Sequence, residues 1–450
     1  MQFDLVIVNG TTVDPQAGLS ARDIAIKNGR IAAFCTPGGV SCPNTIDATG
    51  RHIFPGLIDA HVHFGFGEPV TEYTTETVYA AQGGFSTMLG YFLNNEPYGG
   101  VFEQELRFAE ARSYIDFGFH FSTANEQHID ELTEYARDYG VTSFKYFMNF
   151  KGEEGRYLGL DGTDDGYLYA LLKQAASIGD LTIVLHTENI EIVNRLRRES
   201  QAAGKATLRD WCLSKPAFTE AESVVRAMYF AEHLGAKIYI PHLSTRMALD
   251  EVRRWRARYD KIYVETCPHY LTHTLDADIG SIGKANPPFR TDDDVAALWE
   301  GLADGSIDVV ASDHVPRKRA TKEKPIWQAS QGFPGTATIL PVLLDHGYHR
   351  GRLSLQRIAE LLARAPARIF ALPSKGRMEV GADADFAIVD LDYTREVKAA
   401  ELGSYSDYSL YDGWTLKGWP RVTMLRGREV MRDGRIVGAG GYGRYLRRAP

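Results

Sequence analysis

Apolar and polar positions alternate in two styles along the chain. Residues 3–54 carry short β-like runs, FDLVIVNG, DIAIKNGRIAAF and TIDATGRHIF, punctuated by Asn-Gly at 9–10 and 28–29. That dipeptide supplies the positive-φ residues of a tight hairpin turn. The same style returns late in the chain, in ADFAIVDLD and RVTMLRGREVMRDGRIV. The two stretches predict one small β-sandwich domain assembled from residues 1–55 and 373–450.

Between them, from 56 to 372, apolar strand-like segments alternate with segments of helical period. Eight strand candidates stand out: GLIDAHVHF, FSTMLGYF, DFGFHFST, VTSFKYFMNF, LTIVLHTEN, AKIYIPHLS, KIYVETCPHYL and IDVVASDHV. Helices are predicted over 128–139, 165–178, 190–203, 219–235, 246–258 and 292–304. Strands alternating with helices imply a parallel sheet, and eight such units predict an α/β fold of the (β/α)8 TIM-barrel type.

Composition narrows the function classes. The chain has 450 residues, 44% hydrophobic and 24% charged, with a formal net charge of −8, which is the balance of a globular enzyme-sized protein rather than a polyanion binder. No nucleic-acid partner is expected. Cys35, Cys42, Cys212 and Cys267 are scattered, with no CxxC pair, as in a reducing compartment. The first residues lack the basic segment of a secretory signal, and no apolar run reaches the roughly 20 residues that span a bilayer. These features predict a cytoplasmic protein without a membrane partner.

The chemistry collects where the predicted strands end. His61 and His63 lie two residues apart, so on a strand their side chains share one face. Lys145 falls in the fourth strand, His186 ends the fifth, His242 the sixth and Asp313 the eighth. In a (β/α)8 barrel these ends converge on one mouth. Imidazole and carboxylate are suitable ligands for zinc and similar ions, and a pair of such ions lowers the pKa of a water while polarising a carbonyl. Lys145 is the odd member, because an ammonium has no lone pair to give.

The motifs DAHVHF, SFKYFM, LHTEN, PHLST, ETCPHYL, NPPFR and SDHVP, followed by GRMEVGADADFAIVD, together resemble the cyclic amidohydrolases, the group of dihydropyrimidinases, hydantoinases, allantoinases and dihydroorotases. The resemblance implies that carbon dioxide carboxylates Lys145 into a bridging ligand between two divalent metals, zinc being expected. It also implies that His61, His63 and Asp313 hold one metal and His186 and His242 the other, with Asp313 as the catalytic base and acid. The reaction implied is hydrolytic opening of a small cyclic amide, imide or ureide. The group further implies a homo-oligomer, a tetramer or dimer.

The subgroup is left open. Hydantoinases and dihydropyrimidinases carry a tyrosine five residues after the bridging lysine, where this chain has Phe150. Dihydroorotases carry an arginine two residues beyond the histidine pair, where it has Gly65. Asn286 and Gln331 match positions that contact the ring amide in relatives, and His269 is a further candidate on the substrate side. Phe64, Phe66, Tyr91, Phe92 and Phe150 are candidate pocket walls. A hydantoin, dihydropyrimidine or cyclic imide without a required carboxylate is the preferred substrate, and allantoinase activity is the alternative. A non-catalytic scaffold related to dihydropyrimidinases, and a mononuclear deaminase in which Lys145 is not a ligand, are readings of other kinds. The basic run PRKRATKEK, 316–324, is expected to be a solvated loop, and the tail GYGRYLRRAP a surface or subunit contact.

Overall fold

The structure is a computed structural model that describes residues 2–65, 68–151, 155 and 164–450. Eight parallel strands follow one another in chain order around a single sheet: Leu57–His63, Phe85–Phe92, Asp116–Ser122, Ser143–Phe147, Thr182–His186, Lys237–Ile240, Ile262–Thr266 and Val309–Val310. Each lies within one of the eight segments read from the sequence. A parallel bridge between Val62 and His314 joins the last segment to the first, so the expected (β/α)8 barrel is present. Its strands are apolar on both faces because helices cover the outside and side chains fill the inside. In Phe85–Phe92 every residue but the last is buried.

Helix starts follow local capping chemistry. Asp164 accepts from the Tyr167 amide ahead of Asp165–Ile178, and Asn189 from Ile192 ahead of Ile190–Ala202. Thr291 and Asp294 form a reciprocal capping box at the start of Asp292–Asp304, satisfying amides that a helix leaves unpaired. The segment predicted as one helix over 128–139 divides into Glu126–Asp130, Leu132–Glu134 and a π-type turn, Tyr135–Tyr139. Helices Pro69–Gln82 and Phe102–Arg112 complete the first two barrel units.

Two further sheets come from the early and late residues. One has four strands in the order Arg30–Cys35, Asp23–Lys27, Leu5–Val8, Thr45–Asp47. The other has seven, and in it Phe386–Glu396 pairs antiparallel with His52–Pro55, which joins early and late residues in one sheet. Ile7, Ile24, Ile26, Ile53, Phe386 and Met424 share the core of this region.

A buried ionic cluster ties these sheets to the barrel. Lys375 Nζ lies 2.5 Å from Asp116, 2.7 Å from Asp385 and 3.0 Å from Asp383, and Arg426 also pairs with Asp116. Asp116 opens the third barrel strand, and Arg426 follows the strand Thr415–Leu425. Three carboxylates this close could hold a metal ion, but the lysine ammonium lies among them.

The tail keeps half of its residues at the surface and also runs beneath the barrel: Phe117 N–H donates to Arg444 O at 3.0 Å and Leu446 N–H to Phe117 O at 2.8 Å. Arg448 is buried, and its Nη1 donates to Ser143 Oγ at 2.7 Å. The aromatic residues around it explain this, since Tyr445 packs on Phe102, Phe117 and Phe119. Arg448 is thus buried and Tyr445 half-buried, while Arg444 and Arg447 stay exposed.

Replacing Lys375 with Met would leave three carboxylates facing one another without their shared cation. Breaking one side of a buried ion cluster costs about 3–5 kcal/mol. We expect a clearly lower urea midpoint for this variant, followed by circular dichroism.

Candidate metal centre

Two backbone features aim the site. His61 and His63 point inward together from the end of the first strand, and strand geometry alone explains this. His242 and Asp313 sit just past the ends of the sixth and eighth strands with φ of 41° and 51°. Non-glycine residues seldom adopt the left-handed region, and where they do the surroundings hold them there, often at functional sites.

Three donor atoms meet at the mouth. His61 Nε2 is 3.0 Å from Asp313 Oδ1, His63 Nε2 is 3.1 Å from the same oxygen, and the two Nε2 atoms are 3.3 Å apart. A tetrahedral ion with bonds of about 2.0–2.2 Å has ligand atoms about 3.3–3.6 Å from each other. The spacing therefore fits one divalent ion after a slight opening. Next to this group the His186 and His242 rings meet edge to face at 4.5 Å, and His242 is 5.4 Å from His61. Lys145 is buried, with Nζ 4.8 Å from the centre of the Tyr91 ring and 5.2 Å from that of Phe147.

Buried carboxylates set the tautomers. His61 Nδ1–H donates to Glu265 Oε1 at 2.7 Å, leaving Nε2 for a metal. Glu265 also accepts from the Tyr239 hydroxyl at 2.6 Å and the His242 amide at 3.1 Å. His186 uses Nε2–H on Glu188 at 2.8 Å, which directs its Nδ1 to the opposite side. Such outer partners orient a ligand and raise its basicity.

The same groups shape the charge of the site. Burial pulls the His61 pKa down, but Glu265 and Asp313 outweigh it and raise it to about 9. His63 falls to about 4 through burial, despite Asp313. Asp313 stays ionised well below the carboxylate range because His61 and His63 outweigh its burial. Burial lowers Lys145 to about 8, with Asp313 and Glu265 pulling the other way.

These groups open into a cavity of about 570 Å³. His63, Lys145, His186, His242 and Asp313 line its base, with His61 fully buried beneath. Phe64, Tyr91 and Phe150 stand in its walls, and Asn286 and Gln331 reach it too. Trp211, Trp327, Lys284 and Leu93 also line it, and nothing in their sequence spacing marked them.

Other candidates lie elsewhere. Phe92 packs among Tyr98, Phe119 and Phe121 instead of facing the cavity, because it is one residue out of phase with Tyr91 on the same strand. Phe66 lies outside the described residues. His269 is buried against Tyr270 and Phe333, and His273 stacks on Phe289 and Trp414. The basic run is only partly solvated: Arg317 and Lys324 line the cavity, and Lys322 is wholly buried.

Residues 52–430 match the model of the amidohydrolase family. The chain belongs to the amidohydrolase family. An allantoinase of Desulfitobacterium hafniense (strain DSM 10664 / DCB-2) is 35% identical, with 97% of each chain covered. A D-hydantoinase of Rhizobium radiobacter is also 35% identical, with 99% of each covered. Among solved structures, the L-hydantoinase (dihydropyrimidinase) from Arthrobacter aurescens superposes with a TM-score of 0.93 at 30% identity, covering 99% of this chain and all of that one. The resemblance to cyclic amidohydrolases read from the motifs is borne out.

Within this amidohydrolase, Glu265 and Glu188 stand in the motifs ETCPHYL and LHTEN, whose pattern gave them no role. Their signal was a carboxylate inside or beside an apolar strand, where an acid needs a buried partner. Replacing Glu265 with Gln should weaken metal binding by about 10–100-fold, as measured by chelator competition. An ion held by His61 would have to displace its proton, so affinity at that position should rise about tenfold per pH unit from about pH 6 to 8 and level off above about pH 9. Metal titrations at several pH values would check this.

Proposed function

We propose that this amidohydrolase hydrolyses the ring amide of a cyclic amide, imide or ureide on a two-metal centre. The convergence of His61 Nε2, His63 Nε2 and Asp313 Oδ1 at the cavity base carries this reading. The names of the relatives, hydantoinases and allantoinases, support the substrate class.

In this reading His61, His63 and Asp313 would hold one divalent ion, expected to be zinc, and His186 and His242 the other. Lys145 would join the ligand set once carboxylated by carbon dioxide, which an unprotonated amine accepts. A lysine at about 8 is roughly a quarter unprotonated at pH 7.5, against about 0.1% for an ordinary one. When bound, the metal pair supplies Lewis-acid polarisation of the ring carbonyl and an acidified water nucleophile.

The chain's own residues do the rest. Asp313 uses Oδ1 toward the two imidazoles, so Oδ2 is the oxygen that takes the proton from the water and returns it to the ring nitrogen as the C–N bond breaks. The products are a carboxylate and a freed amine, amide or ureido nitrogen. Asn286 and Gln331 present amide groups to the ring edge, and Phe64 and Phe150 flank it.

Phe150 stands at the position where hydantoinases carry the tyrosine whose hydroxyl helps hold an oxyanion. One such donor is worth about 2.7–4 kcal/mol of barrier in other enzymes. Its loss weighs against a standard dihydropyrimidinase, while the aromatic walls Phe64, Tyr91 and Phe150 favour a hydantoin, dihydropyrimidine or cyclic imide with an apolar substituent; allantoin is the second reading, on the strength of the allantoinase relative. A cytoplasmic location fits the four unpaired cysteines, and among the described residues no helix is long and apolar enough to cross a membrane. Exposed Phe218, Tyr229 and Met247 support a homo-oligomer, a tetramer or dimer.

Initial rates of the metal-replete protein on hydantoin, dihydrouracil, succinimide, allantoin and dihydroorotate test the reading. Turnover of one of the first three is expected, and turnover of none discards both named choices. Lys145→Ala should lose the second metal and regain it with added short carboxylic acids. Asp313→Asn should lower kcat by at least about 10²–10⁴-fold on whichever substrate is turned over.

A further inference from the structure

The segment 316–332 after the eighth strand wraps around its own cation. Lys322 has no solvent exposure, and its ammonium donates to three backbone carbonyls: Lys284 O at 2.8 Å, Ser330 O at 2.9 Å and Gly332 O at 2.8 Å. Burial, with Arg317 and Lys284 nearby, pulls this lysine well below its ordinary pKa, but three carbonyl acceptors call for the three donors of an ammonium, so its bonding is complete in the charged form. No carboxylate forms an ion pair with it among the described residues.

The three acceptors are placed around the substrate edge. Ser330 and Gly332 stand on either side of Gln331, and Lys284 lies two residues before Asn286. The two segments also meet directly, with Gly332 N–H donating to Lys284 O at 3.1 Å. Arg317 Nε holds Gln331 O at 2.9 Å, and Lys284 Nζ holds Ala329 O at 2.8 Å. Asn286 and Gln331 both line the cavity.

A buried ammonium is a costly way to hold a loop, since removing the charge from water costs several kcal/mol before its bonds offset the loss. An apolar side chain of the same length would pack the space. What it would lack is the power to fix three carbonyls at set distances from one point.

We infer that Lys322 is a positioning residue that clamps the Asn286 segment to the Gln331 segment at the spacing that reads the ring-amide edge of the substrate. The part concerning substrate rests on the cyclic-amide reading; the clamp itself does not. It acts through those two segments and touches neither the metal ligands nor the reacting carbonyl.

Lys322→Met keeps the length and removes all three donors. For the best substrate of the panel, KM should rise tenfold or more while kcat stays within about threefold and metal content stays at the wild-type value. Backbone amide exchange at 284–286 and 330–332 should quicken at least tenfold. Lys322→Gln, which restores part of the donor set, should give an intermediate KM. A folded Met variant with wild-type KM and unchanged exchange overturns the inference. So does a loss of kcat together with metal, or a failure of both variants to fold, because either outcome assigns Lys322 to general stability. If the wild type turns over no cyclic amide, the substrate reading fails, and the exchange comparison still decides the clamp.

Discussion

Closure of the barrel between its first and last strands is the constraint on which the site depends. His63 N–H donates to His314 O at 2.8 Å, and His314 N–H to His61 O at 3.3 Å. This places Asp313, more than two hundred residues downstream, against the two histidines. Asp59 stitches the same seam from inside. It accepts from the Ser312 amide at 3.1 Å, the Thr336 hydroxyl at 2.8 Å and the His61 amide at 3.3 Å. The eighth strand is only two residues long, so side-chain bonds do there what a longer ladder does elsewhere in the barrel. His314 serves this seam too: its ring lies 2.9 Å from Glu76, and its Nδ1 accepts from the Gly335 amide. That role explains why it does not face the cavity.

Above the seam, the electrostatics favour a cation. Glu265 and Asp313 flank His61 from opposite ring nitrogens, and their field, which retains a proton on the ring at neutral pH, suits a divalent ion better. A second carboxylate, Glu188, lies beside His186 and is held at about 2 because Lys215 and His186 outweigh its burial. It is therefore charged throughout the neutral range. The stability this provides is present above pH 4.5 and is lost as acid approaches the folded value. One side of the centre thus faces a carboxylate bonded to a tyrosine and an amide, and the other faces a carboxylate compensated by a lysine.

Much of this could be read from the chain because the barrel turns sequence position into spatial position. The His61–His63 spacing, the Lys145 strand and the Asp313 terminus each needed only the rule that strand ends share a mouth. The seams and floors were harder. Phe92 and Tyr91 differ by one residue, and only the register against Phe121 and His120 shows which of them points inward. Lys322 lay in a run of charges that read as solvated, because the carbonyls satisfying it are distant or irregular backbone that leaves no mark on composition. Arg448 was hidden for the same reason: its acceptors are Ser143, in the fourth strand, and Phe119 O, in the third.

The placement of Arg448 has a consequence for how the molecule assembles. Ser143 and Arg448 are 305 residues apart, yet Ser143 also bonds His120 Nδ1 at 2.5 Å, and His120 Nε2–H reaches Ala60 O at 3.1 Å. This relay runs up the barrel axis to the strand that carries His61. While the chain emerges from the ribosome, the first strands can pair, but the underside of the barrel stays open to water until these late residues arrive. The base of the barrel therefore closes through contacts of high sequence separation, whose loop-closure entropy must be met before they form.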